Sequence, residues 1–114
     1  MFFHDTVTVV RPARTVDRYR NEVLDWGPAA TRVQVARVAV LPAVQAEAET
    51  AVRDTVTTGW RLYSQPGTDL DIRASDRIEW AGYTLSVVGE PARWPDPITG
   101  RVHHVDCALQ EVTG

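Results

Sequence analysis

The chain has no lysine, one cysteine, and no apolar run approaching the roughly 18 residues that span a bilayer. The lone Cys107 excludes an internal disulfide and any cysteine-based zinc site built within one chain. That usage fits a reducing cytoplasm, or a particle assembled there. With lysine absent, all 12 basic residues are arginine; each is permanently charged and suited to forked, bidentate contacts. The opening Met1-Phe2-Phe3-His4-Asp5 has neither a basic n-region nor an apolar h-region and is not expected to act as a signal peptide. Also missing are a phosphate loop, a dinucleotide glycine fingerprint, a nucleophile elbow and a zinc-helix motif. No internal repeat or low-complexity tract breaks the chain.

What is present is an ordinary globular composition, 44% hydrophobic and 24% charged, on 114 residues. That length supports a single domain, residues 1–114, with one modest core. Valine and threonine, stiff at χ1 and well suited to a pleated surface, are abundant. The formal net charge of −3 disfavours a nucleic-acid clamp, which carries a basic patch.

Period-two alternation and frequent turn residues predict six short strands. The first, Thr6–Arg11, sets Val7 and Val9 on one face and ends at Pro12. Arg14–Pro28 has no clean period and reads as a long hairpin excursion, anchored by Val23, Leu24 and Trp26. The second strand, Arg32–Leu41, changes parity between Val35 and Val38, which predicts a bulge near Ala36-Arg37; Pro42 marks an edge or an exit. Ala43–Asp54 offers mostly alanine to bury and reads as a long mobile loop. A third strand follows over Thr55–Ser64, with Trp60 and Leu62 on one face, and a Pro66-Gly67 turn closes it. The last three are Asp76–Ala81, Tyr83–Val88 across a Gly82 turn, and Val102–Val112, with Gly89–Gly100 as a proline-rich loop. The expected fold is all-β: a small antiparallel barrel of six to seven strands with a long mobile loop between strands two and three.

Candidate chemistry is sparse. Adjacent strand residues point to opposite faces, so His103 and His104 are not expected to chelate one metal. The same geometry separates His104 from Cys107, which reads as a small buried hydrophobe. Asp69, Asp71 and Asp76 flank a turn and read as solvated. Trp60 and Trp80 fall on apolar faces, whereas Trp26 and Trp94 fall in loops, as lids or interface anchors. No catalytic residue, metal ligand or cofactor is assigned.

The second half carries a resemblance. Trp60-Arg61-Leu62-Tyr63, Pro66-Gly67, the run Asp71-Ile72-Arg73-Ala74-Ser75-Asp76-Arg77-Ile78-Glu79-Trp80-Ala81-Gly82-Tyr83, then Val87-Val88-Gly89-Glu90-Pro91 and Trp94, resemble the head-to-tail connector proteins of tailed bacteriophages, the head closure, stopper or head-tail joining proteins. Asp5-Thr6-Val7-Thr8-Val9, Asp17-Arg18-Tyr19, Asn21 and Trp26 resemble that family's first strand and following loop, where a glycine often stands in place of Arg20. The likeness runs from about Asp5 to Val112.

The resemblance implies a structural virion protein of the head-tail neck, assembled in the host cytoplasm, with no enzymatic activity, no cofactor and no membrane association. Its implied state is a homo-oligomeric ring, a dodecamer in preference to a hexamer. The portal or adaptor ring lies on the head side, the tail terminator or tail tube on the tail side, and genomic DNA passes through the channel. The loop between strands two and three would reach into that channel, which makes Gln45, Glu47, Glu49, Thr50, Arg53 and Asp54 candidate gating residues. The loop holds more acid than base, so a ring of such loops would repel phosphates. Tyr19, Trp26 and Trp94 are candidate ring or partner contacts. Two alternatives stand beside this reading: another neck protein such as a tail terminator, and a small β-barrel module for nucleic acid, which would need exposed aromatics in a basic groove.

Overall fold

The computed structural model describes residues 2–46 and 56–112. Eight strands form: β1 Asp5–Arg11, β2 Ala13–Val16, β3 Glu22–Asp25, β4 Thr31–Ala46, β5 Val56–Ser64, β6 Arg77–Trp80, β7 Tyr83–Pro95 and β8 Val102–Glu111. Six close into an antiparallel barrel in the order β1-β4-β5-β8-β7-β6, with β6 pairing back onto β1; β2 and β3 form a separate two-stranded sheet. The fold is therefore all-β and closed, and closure leaves the barrel body without a free edge.

The alternation read from the sequence fills the barrel. Val7, Val9, Val38, Val40, Leu62, Ile78, Leu85, Val87, Val105, Cys107 and Leu109 are buried in one cluster. The parity change in β4 is a bulge: Asp5 pairs with Val38 but Val7 with Val35, so β4 carries one extra residue, and Arg37 takes a φ of 62° to absorb it. The β6–β7 connection places Ala81 at φ 49° and Gly82 at φ 84°, the pair of positive values that a two-residue hairpin needs to match strand twist.

Three sequence expectations are corrected. Pro42 does not end its strand; β4 continues to Ala46. The last backbone partners along the β1 side of β4 are Asp5 and Val38, so proline stands where that side needs no donor. Ala43–Ala46 thus belong to β4 rather than to a loop. Gly89–Pro95 is strand as well: β7 spends extra residues between Val88 and Ala92, where Gly89 turns at φ 75°, and Pro91 falls inside that irregularity. The Arg14–Pro28 excursion is a hairpin, as read, with a regular ladder of Ala13–Val16 against Glu22–Asp25.

Register fixes the two ends of the barrel. Arg11, Thr31, Ser64 and Arg77 lie at one end; Trp80, Tyr83, the far parts of β4 and β5, and Glu111 lie at the other. The first end is floored by the segment Gln65–Asp76, which inserts the buried Leu70 and Ile72. Arg11 straps it down, its Nε donating to Asp76 Oδ1 at 3.1 Å and its Nη2 to Asp76 Oδ2 at 2.9 Å, with Arg73 N–H on the same carboxylate at 2.9 Å. Ser64 ties in from the opposite wall, donating to Thr68 O and accepting from Val105 N–H. Arg93 Nη2 holds the carbonyls of Leu70 and Ile72 at 3.1 and 3.0 Å. The radius of gyration, 16.2 Å, exceeds the roughly 13 Å of a compact chain of this length, because two hairpin arms extend the body.

Candidate functional site

The longer arm continues β4 and β5. Barrel neighbours flank the two strands only as far as the Asp5–Val38 pair on the β1 side and the Trp60–Leu109 pair on the β8 side. Beyond these, Ala43–Gly59, Val44–Thr58, Gln45–Thr57 and Ala46–Val56 pair with each other. At the root, Val40 N–H donates to Asp5 Oδ2 at 2.9 Å, a side chain replacing the departed β1 backbone. Gly59 sits close against the wall there: a Cβ would lie 3.1 Å from the Leu109 carbonyl oxygen, so a larger residue would need the backbone to give by a few tenths of an ångström. Of the candidate gating residues, Gln45 is on β4 opposite Thr57, while Glu47, Glu49, Thr50, Arg53 and Asp54 lie outside the described residues.

An aromatic cap closes the barrel beneath this arm. Trp60 meets Trp80 edge-on at 5.1 Å between centroids, and Tyr83 contacts both at 5.4 and 6.0 Å. All three occupy inward parities of β5, β6 and β7, and the two tryptophans pack on the core. They are half-buried, a lid rather than a centre, so the sequence assignment to the apolar face holds.

The shorter arm, β2–β3, is rooted at the opposite end, between Arg11 and Thr31. Its tip is organised by Asp17: the carboxylate accepts from Tyr19 and Asn21 N–H at 2.8 and 2.9 Å, and the backbone closes through Asp17 N–H to Asn21 O and Arg20 N–H to Asp17 O. Arg20 adopts φ 64°, the conformation glycine would favour there. Arg14 pairs with Glu22 across the arm at 2.8 Å. Val16, Tyr19, Val23 and Leu24 are all exposed, Tyr19 to 74%.

The three interface candidates stand apart. Tyr19 is at the arm tip with Arg18 over its ring. Trp26, just past β3, lies over the Arg77 guanidinium at 3.9 Å, and Arg32 Nη2 holds its carbonyl at 3.1 Å. It folds back on the barrel wall beside Val10. Trp94 is not in a loop but on β7, half exposed; it stacks on His104 and donates Nε1–H to Asp106 Oδ2 at 3.0 Å. Among the described residues no aromatic contact joins them.

The acidic residues are corrected in part. Asp69 and Asp71 are solvated as read, though each meets an arginine, Asp71 pairing with Arg11 at 3.2 Å and Asp69 with Arg93 at 3.3 Å; Asp76 is the exception, fully buried against Arg11. Hydrogen bonding to Arg11 holds the Asp71 carboxyl below the usual carboxylate range. Asp106 lies on the parity of β8 that faces away from the core, yet it is buried between Arg61, at 2.9 Å, and Trp94. The sequence carried no sign of these pairs beyond arginine abundance, because the partners are 24 to 65 positions apart. Cys107 is buried, and desolvation pushes its thiol up to about 12. His103 and His104, expected to diverge, come together, with their Nδ1 atoms 2.9 Å apart. The arrangement as a whole offers surfaces and projecting ladders: among the described residues no three metal-ligating side chains gather.

No family model matches the chain, and no curated protein does. Among the solved structures similar in fold is protein SF1141 from Shigella flexneri 2a, at 16% identity and a TM-score of 0.56, the match covering 96% of this chain and 93% of that one.

Proposed function

We propose that the chain is a structural subunit of a tailed-bacteriophage neck, forming a ring below the portal or adaptor that closes the DNA channel after packaging and presents the surface to which the tail attaches. One observation carries this reading above the resemblance itself: a closed, strapped barrel bears two paired hairpin arms rooted at opposite ends. A ring subunit needs a rigid body and reach in two directions. The β2–β3 arm exposes Val16, Tyr19, Val23 and Leu24 on a ladder whose outer edges are unpaired among the described residues, which suits contact with a neighbouring subunit. The β4–β5 arm includes Ala43–Ala46, the start of the segment Ala43–Asp54 where the resemblance puts the channel loop.

Two measurements on phage particles test this. Mass spectrometry of purified virions and tail-less heads should detect the chain at ring-like copy number; absence from both sinks the neck reading. Heads assembled with residues 47–55 replaced by a short Gly/Ser linker should package DNA and then leak it, read as nuclease-sensitive DNA before tails join. Retention equal to the parent would remove the gating role while leaving the neck assignment standing.

A further inference from the structure

His103 and His104 are adjacent on β8, and on a regular strand their rings would leave opposite faces of the wall. The register explains why they do not. Arg93 pairs with Val105 and Trp94 with His104, but Pro95 pairs with Val102, so β8 carries one extra residue opposite β7. That residue is His103. The irregularity turns its imidazole onto the side of His104, which is how a bulge re-aims a side chain. The His104 ring is held from behind, and the backbone that carries His103 is pinned. His104 stacks on Trp94, whose indole is itself anchored to Asp106, and the His103 carbonyl accepts from Gly67 N–H at 2.7 Å. The rings stand nearly perpendicular, at 84°, with Nδ1 facing Nδ1 at 2.9 Å.

The geometry points to a two-histidine chelate for a divalent transition-metal ion of tetragonal preference, Cu²⁺ or Ni²⁺, and we propose this as a binding site of the chain. Bonds of about 2.0–2.1 Å to two nitrogens 2.9 Å apart meet at about 90°, the cis angle of a square-planar or tetragonal centre; a tetrahedral ion would need the nitrogens about 3.3 Å apart. Imidazole suits both ions, and the ordering of first-row affinities places Cu²⁺ highest. No third His, Cys, Asp or Glu joins the pair among the described residues, so the remaining positions fall to water or to a donor from a docked chain. Without metal, one ring must donate to the other, since two unprotonated Nδ1 atoms at this distance would oppose their lone pairs. Metal binding moves that proton to the far nitrogen, Nε2, of its ring and needs both Nδ1 lone pairs, so protons compete with the ion and affinity should fall as the pH is lowered.

The test uses the full chain in a non-chelating buffer near neutral pH, with Cu²⁺, Ni²⁺ and Zn²⁺ titrated separately by calorimetry. His4→Ala is included throughout, to remove the remaining histidine near the amino terminus. The expected result is one equivalent of Cu²⁺ in both the parent and His4→Ala, with superhyperfine splitting in the electron paramagnetic resonance spectrum showing two nitrogens. Ni²⁺ should bind more weakly and Zn²⁺ more weakly than Cu²⁺. His103→Gln and His104→Gln should each lose at least tenfold in Cu²⁺ affinity, with unchanged circular dichroism and melting temperature. Equal binding by either Gln variant, loss of binding in His4→Ala, or a one-nitrogen spectrum in the parent would each overturn the chelate. No saturable binding by the parent would leave the pair as a plain hydrogen bond and overturn it too.

Discussion

Three side chains show how much local chemistry decides. Arg20 occupies a left-handed position at the arm tip, which costs a residue with a Cβ about 1–2 kcal/mol, while glycine there adds about 0.5–1 kcal/mol of unfolded-chain entropy. Arg20→Gly should therefore stabilise the fold by roughly 0.5–1 kcal/mol in urea denaturation; a loss of stability would show that the guanidinium makes a contact worth more than the strain. Arg11 holds two carboxylates of unequal weight. Asp76 is buried, so Asp76→Asn leaves the guanidinium strap and the Arg73 N–H facing a neutral group and should cost about 3 kcal/mol. Asp71 is solvated, and Asp71→Asn should cost little, although its carboxyl is held low by Arg11. Equal melting temperatures for the two variants would contradict the floor described above. Cys107 should resist a thiol reagent at pH 8 until the chain unfolds. The folded thiol keeps its proton up to about 12, while the unfolded one releases it near its ordinary 9.0. Its contribution to stability is thus intact below 9.0 and is lost as pH rises towards 12. Cys107→Ala should flatten that part of the alkaline stability curve.

At the scale of elements, the arms and the barrel should separate experimentally. Replacing Val16–Glu22 by a two-residue turn, or residues 47–55 by a Gly/Ser linker, leaves the described core untouched, so thermal scans should shift by no more than a few degrees. Trp80→Ala removes one wall of the aromatic cap and should cost roughly 2–3 kcal/mol, less than a fully buried tryptophan, because the ring is only partly buried. These elements differ in how legible they were. Val7 and Val9, Ile78 and Trp80, and Val105, Cys107 and Leu109 announced their strands by alternation, and the parity slip between Val35 and Val38 announced the β4 bulge. Prolines misled in β4 and β7, because proline reports a missing donor and an edge or irregular position lacks that donor without ending the strand. The bulge that joins His103 to His104 left a parity slip of the same kind, Val102 and Val105 both packing on the core three positions apart, but it rests on a single residue at the start of the strand. The ion pairs of Arg11, Arg61 and Arg93 depend on closure of the barrel, which brings together segments no local pattern relates.

For the whole molecule, the charge balance bears on its dealings with DNA. The net charge is −3, and Arg11, Arg14, Arg32, Arg61 and Arg93, five of the 12 arginines, already face carboxylates, which weakens the attraction for phosphate. Titration of duplex DNA at physiological salt should give no affinity tighter than the non-specific range of about 10⁻⁴–10⁻⁶ M; a sub-micromolar constant that weakens steeply with salt would favour a nucleic-acid module instead. The continuity of β4 has a mechanical side. The same strand runs from Thr31 in the barrel wall to Ala46 in the arm, and β5 returns beside it. Ladder bonds lie across the strand axis, so tension applied along the arm loads the β1–β4 and β5–β8 ladders in shear, many bonds at once, rather than peeling them one by one. The arm is in effect a tie rod anchored through the full height of the wall, and a pull on its tip is borne by the barrel as a whole.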